Sequence, residues 1–215
     1  MTQSLETLSE RMKGVSLYLV GMMGAGKSTV GRILAKQLSY RFCDTDAIAE
    51  QVAGKPITAI FAESGEAAFR ALETQVLAEV AAYRRMAIAT GGGIVMEPMN
   101  WSYLRHGLVV WLDVPTEILY ARLKGNTTRP LLQHPNPQQR LEELLEQRRS
   151  HYSLADLHVC VCPDESPQQV AERVLQGIAG ILKPEVLPPE PGSFELRVDP
   201  SASLPINLIA DVDRN

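Results

Sequence analysis

The chain is poor in the residues that build metal centres and disulfide frameworks. It has three cysteines, Cys43, Cys160 and Cys162, in 215 residues. That count is odd, and no pair has the spacing of a zinc ligand set. They are expected as small core residues of strands. The four histidines, His106, His134, His151 and His158, are scattered and form no H-E-x-x-H pattern, so surface or structural roles are expected. No apolar run approaches the roughly 18 residues of a membrane span. A basic excess is missing as well. Twenty-one Lys and Arg against 25 Asp and Glu leave a net charge of −4 and a pI near 5.6, which argues against nucleic acid or a membrane surface as partner. Residues 1–14 lack both the apolar core of a signal peptide and the Arg-rich, acid-poor character of a transit peptide, so the cytoplasm is the expected compartment.

What is present is ordinary in bulk and specific in one place. Hydrophobic residues make up 45% and charged residues 21%, a globular composition, and the length suits one α/β domain. Residues 21–28 read Gly-Met-Met-Gly-Ala-Gly-Lys-Ser, a complete G-x-x-x-x-G-K-S phosphate-binding loop. An apolar run, residues 15–20, precedes it. The run that follows, residues 29–38, places Val30, Ile33, Leu34 and Leu38 on one helical face. The loop therefore sits between a buried strand and a helix N-terminus, where backbone N–H groups can cradle phosphate oxygens. Lys27 supplies a point charge for the β- and γ-phosphates, and the Ser28 hydroxyl can ligate Mg²⁺. The pattern predicts a nucleoside triphosphate site.

Strand and helix signals then alternate. Strands are expected at residues 41–43, 86–90, 108–114 and 158–162. Helices are expected at 45–53, 57–62, 66–84, 116–122, 138–152 and 166–182, with Ser166 as N-cap of the last. The expected fold is a P-loop NTPase of the α/β class, a five-stranded parallel sheet with helices on both faces. Ligands bind such sheets at the carboxyl ends of strands, which places 21–28, Asp44 with Asp46, and Gly91–Gly93 along one crevice. Three segments are expected: a polar N-terminal stretch, 1–13; the P-loop domain, 14–182, with a mobile lid at about 124–137; and a C-terminal extension, 183–215. The extension contains six prolines and reads as an appendage.

Charged residues on apolar faces mark a second ligand. Arg148 follows Leu141 by seven residues and shares the stripe of Leu141, Leu144 and Leu145, so it needs an anionic partner or must snorkel to water. Arg70 can be fixed by Glu73 one turn later. Two arginines aimed into one crevice would suit a carboxylate. Asp44 and Asp46 can divide between the metal and a substrate hydroxyl, or Asp44 or Thr45 can cap the helix that follows. Gly91–Gly93 allows close approach of backbone to ligand or makes a plain turn. Arg129, central in the lid, could reach the transferring phosphoryl group or lie exposed.

Together these residues resemble the shikimate kinase family. The resemblance rests on the phosphate loop with Thr29, Asp44-Thr45-Asp46, Phe69-Arg70-x-x-Glu73, the triple glycine, Arg122, Thr128-Arg129-Pro130-Leu131-Leu132 and Arg148-x-x-x-Tyr152. They occur in family order over residues 14–182. The resemblance implies ATP-dependent phosphorylation of the shikimate 3-hydroxyl, with ATP and Mg²⁺ as cofactors. It implies that Gly24, Ala25, Gly26, Lys27, Ser28 and Thr29 hold the ATP phosphates, with Arg129 joining from the lid and Arg122 near adenine. Arg70 and Arg148 would hold the shikimate carboxylate, and Asp46 and Gly92 its hydroxyls. Ser28 and Asp44 would serve the metal. Lys27, Asp46 and Arg129 would be the catalytic set. A monomer is expected. Another P-loop small-molecule kinase, acting on gluconate or a nucleoside monophosphate, is the competing enzyme. A nucleotide-dependent interaction protein without turnover is the competing non-enzyme.

Overall fold

A computed structural model describes residues 8–124 and 136–182, all within one compact unit, Met1–Lys183. Its centre is a sheet of five strands, β1 (Leu17–Val20), β2 (Arg41–Asp44), β3 (Met86–Ala89), β4 (Leu108–Asp113) and β5 (Leu157–Cys160). The order is β2-β3-β1-β4-β5, and every pairing is parallel. Strands β1 and β3 are buried along their whole length, as central strands covered on both faces must be.

The helices are α1 (Lys27–Leu38), α2 (Thr45–Ala53), α3 (Ile57–Ala81), α4 (Pro98–Leu104), α5 (Thr116–Leu123), α6 (Pro137–Tyr152) and α7 (Pro167–Ile181), with a 3₁₀ turn at Ile94–Met96. Register fixes which face each covers, because paired residues of parallel strands point the same way. Leu19 pairs with Val110, and Val110 with Leu157. Gly31 of α1 packs on Leu19, and Gly177 of α7 packs on Leu157, so α1 and α7 share one face. Trp111 points to the other face, where its ring stacks on Tyr152 of α6 at 5.6 Å.

Three expectations need correction. The helices expected at 57–62 and 66–84 are continuous in hydrogen bonding but break at Gly65, whose φ of 79° and ψ of 174° are not helical, and the second half ends at Ala81. Helix α4 has no counterpart in the sequence reading. Two of the cysteines are not core residues: Cys160 and Cys162 are exposed, whereas Cys43 is half-buried and packs against the core. Strand β5 lies at the sheet edge, with Leu157 and Val159 on the α7 side and His158 and Cys160 turned the other way. The capping box at Ser166 is present, its side chain accepting from the backbone of Gln169 while the Gln169 side chain returns the contact. Among the described residues, no helix is long and apolar enough to cross a membrane.

Candidate active site

The phosphate loop leaves the carboxyl end of β1 and enters α1 through Gly26, which takes a left-handed conformation at φ 93°. Lys27 is buried and folds back over the loop, donating to the carbonyls of Gly21 and Met22 at 2.8 Å each. Its ammonium is thereby held against the start of the loop. Ser28 Oγ donates to Asp44 Oδ2 at 2.5 Å. Asp44 ends β2 and also caps α2, with Oδ1 accepting from the Asp46 backbone at 3.1 Å. Both readings of Asp44, cap and cleft residue, therefore hold in its geometry. Ser28 and Asp44 together present clustered oxygen donors, the donor type Mg²⁺ takes, so these residues fit that ion.

The triple glycine follows β3 and gathers the remaining charged groups. A Cβ on Gly91 would overlap Glu73 Oε1 and lie 2.8 Å from Asp46 Oδ1. One on Gly93 would overlap the Arg70 guanidinium, and one on Gly92 would sit 3.2 Å from the Met23 nitrogen of the phosphate loop. Only backbone without side chains allows this approach. Arg148 Nη1 donates to the Gly92 carbonyl at 3.1 Å, and the Tyr152 hydroxyl donates to the same oxygen at 2.6 Å. Arg70 is clamped by Glu73 at 2.5 Å and by Glu66 at 2.9 Å. Burial works against the Arg70 charge, but the two carboxylates outweigh it and raise its pKa. Glu73 is buried, which lifts its pKa, while Arg70 pulls the other way without cancelling the effect. Its Oε1 has no hydrogen-bond partner among the described residues.

A cleft of about 730 Å³ opens over the phosphate loop and reaches Gly92 of the triple glycine. Residues 23–30, Asp44, Asp46 and Gly92 line it, together with Val161, Glu165, Pro167 and Val170. Arg122 reaches over the loop, donating to the Gly24 carbonyl at 3.2 Å, and lines the same cleft. The structure thus brings together Asp44, Asp46, Arg70, Gly92, Arg122, Arg148 and the phosphate loop. Arg129 and the interior of the expected lid, like the extension 183–215, lie outside the described residues.

Sequence reasoning missed two parts of this site. Val161, Glu165, Pro167 and Val170 line the cleft but carry no motif; only their position after β5 marks them. Tyr152 was visible as an aromatic residue four positions after Arg148, but nothing local showed that both would meet one carbonyl. Burial pushes the Tyr152 phenol up to about 12, so it stays a proton donor to Gly92 at physiological pH.

Comparison with known proteins agrees with this geometry. A family model for shikimate kinase matches residues 23–179. A shikimate kinase from a Nostoc species is 56% identical over 176 residues, spanning 82% of this chain and 97% of that protein. One from Microcystis aeruginosa is 55% identical over 172 residues, spanning 80% and 90%. Among solved structures, the shikimate kinase of Acinetobacter baumannii in complex with shikimate superposes with a TM-score of 0.76 at 38% identity, covering 85% of this chain and all of that one. The chain belongs to the shikimate kinase family.

Proposed function

We propose that this protein transfers the terminal phosphoryl group of ATP to the 3-hydroxyl of shikimate, giving shikimate 3-phosphate and ADP. One observation carries the reading. Arg70 and Arg148 converge from two helices on the triple-glycine turn, which itself packs against the phosphate loop. A carboxylate held by these arginines would leave the rest of a small ring compound beside Asp46 and in line with the loop.

Phosphoryl transfer proceeds through a loose transition state, so positioning and charge neutralisation dominate. Residues 24–29 hold the phosphates, and Lys27 neutralises charge passing to the leaving ADP. Ser28 and Asp44 would hold Mg²⁺, which would supply positive charge against the phosphates. Arg122, which lines the cleft beside the phosphate loop, would lie near the adenine base. Asp46 orients the 3-hydroxyl and accepts its proton late in the transfer. Arg129, outside the described residues, is assigned a charge-neutralising contact with the ATP phosphates by the family resemblance alone. We further place the enzyme in the cytoplasm as a monomer, without nucleic-acid or membrane partners, in keeping with its net charge of −4.

A coupled ADP assay across shikimate, gluconate and nucleoside monophosphates tests the substrate. ADP formation should require shikimate; preference for either alternative would overturn the reading. Arg70→Ala and Arg148→Ala should each raise the shikimate KM far more than the ATP KM, by about 2–5 kcal/mol equivalents. The two losses should be non-additive, since both serve one anion. Equal loss of ATP affinity would speak against a shared carboxylate site.

A further inference from the structure

The edge of the sheet carries a cluster that phosphoryl transfer does not use. Asp113 ends β4, and His158 and Cys160 are alternate residues of β5. Asp113 is the register partner of Cys160, and Trp111 that of His158. All four side chains therefore leave the same face of the sheet, the face covered by α6. The His158 ring lies flat on Trp111, 4.1 Å between centroids and 8° between planes. That stacking aims His158 Nε2 at Asp113 Oδ2, 2.9 Å away, with Cys160 Sγ at 3.6 Å. The three candidate ligand atoms lie within 4.8 Å of one another.

We propose that Asp113, His158 and Cys160 form a surface site for a borderline-soft divalent transition cation of the Zn²⁺ class. Sulfur, imidazole nitrogen and carboxylate oxygen are the donors such an ion takes, and three protein ligands leave a fourth position for water. Two of the three spacings fit as well, and the third, sulfur to oxygen, lies within 4.8 Å. Bonds of about 2.3 Å to sulfur and about 2.0–2.1 Å to nitrogen or oxygen give tetrahedral edges of about 3.6 Å and about 3.3 Å. The sulfur–nitrogen edge is already met, and the nitrogen–oxygen edge needs only a few tenths of an ångström more. The competing cation is Arg149, whose Nη1 lies 3.7 Å from Asp113 Oδ2. It also reaches Glu146 at 3.5 Å and is about half exposed, so it can turn away. The site is separate from the oxygen donors Ser28 and Asp44, and its ligands include a thiol that Mg²⁺ does not favour.

The test is a Co²⁺ titration of the full-length protein with Mg²⁺ in excess, which occupies the oxygen site. One equivalent of Co²⁺ should give a thiolate-to-metal charge-transfer absorption and quench tryptophan fluorescence through Trp111, and Zn²⁺ should displace it. Cys162→Ser should keep the absorption. Cys160→Ser should lose it while retaining shikimate-dependent turnover with Mg²⁺ and ATP, which shows that the variant is folded. His158→Gln should weaken Co²⁺ at least tenfold, and Arg149→Ala should tighten it. The proposal is overturned if stoichiometric Co²⁺ gives no such absorption, if the absorption survives Cys160→Ser, or if it depends on Cys162.

Discussion

Asp46 stands on the first turn of α2 with Oδ1 against Gly91, and Glu73 approaches the same glycine from α3. Their surroundings separate their tasks. Glu73 is tied to Arg70 and buried at 1% exposure, so it holds a guanidinium in place. Asp46 lines the open cleft, where a substrate hydroxyl would lie. Asp46→Asn keeps the size and the hydrogen-bonding capacity but cannot accept a proton. It should lower kcat by about 10²–10³-fold, the lower half of the usual general-base range, because a loose transition state frees the hydroxyl proton late. Steady-state kinetics with varied shikimate check this; an unchanged kcat with a raised KM would make Asp46 a binding residue. Glu73 makes a separate prediction in pH. Its folded pKa is raised above 4.5, first by burial, while the unfolded chain ionises near the ordinary value. The unfolded state therefore loses its proton first, and stability is lost as pH rises from about 4.5 toward the folded pKa. Glu73→Gln removes that loss. The Tm difference between wild type and Glu73→Gln should shift against wild type as pH climbs through this window; a pH-independent difference would show that Glu73 does not titrate as its burial implies.

At the scale of elements, the sequence was most legible where structure is local. The phosphate loop, the cap at Ser166 and the pair Arg70–Glu73 at i,i+3 are decided within a few residues, and each stands where its spacing places it. Helix α4 was not legible because its seven residues make less than two turns and show little periodicity. Its hold is tertiary: Asn100 Nδ2 and Trp101 Nε1 donate to the carbonyls of Ile94 and Val95 at 2.8 and 2.9 Å. Cys160 was misread because alternation in β5 looks the same at a buried strand and at an edge, and Cys162 because the strand stops at Cys160. The break in α3 was half legible, since the gap between the two expected helices falls on Gly65. Its φ of 79° and ψ of 174° belong to a region that residues with a Cβ rarely enter. A Cβ there would meet nothing within 4 Å, so Gly65→Ala isolates the backbone cost. It should destabilise the fold by about 1–3 kcal/mol, measured by urea unfolding. Because the half-helix beyond Gly65 carries Arg70 and Glu73, the shikimate KM should rise with it; an unchanged Tm would mean the bend adapts without cost.

Taken as a whole molecule, the chain is longer than its relatives. The alignment that spans 97% of the Nostoc enzyme uses 82% of this chain, and the family model ends at residue 179. Every described residue lining the cleft lies between Met23 and Val170, so substrate recognition has its visible parts before the extension begins. The natural end of the folded unit is α7, whose last carbonyls are tied back to the body: Leu182 is packed against the core, and its oxygen accepts from Arg11 Nη2 at 3.3 Å. A chain ending at Leu182 keeps that contact and the capping box at Ser166. It should fold and retain shikimate-dependent turnover, with kcat and both KM values within about tenfold of the full chain, a margin of about 1.4 kcal/mol. Side-by-side kinetics of the two proteins decide the matter. If the shortened enzyme stays folded by circular dichroism yet loses more than that margin, residues 183–215 complete the site.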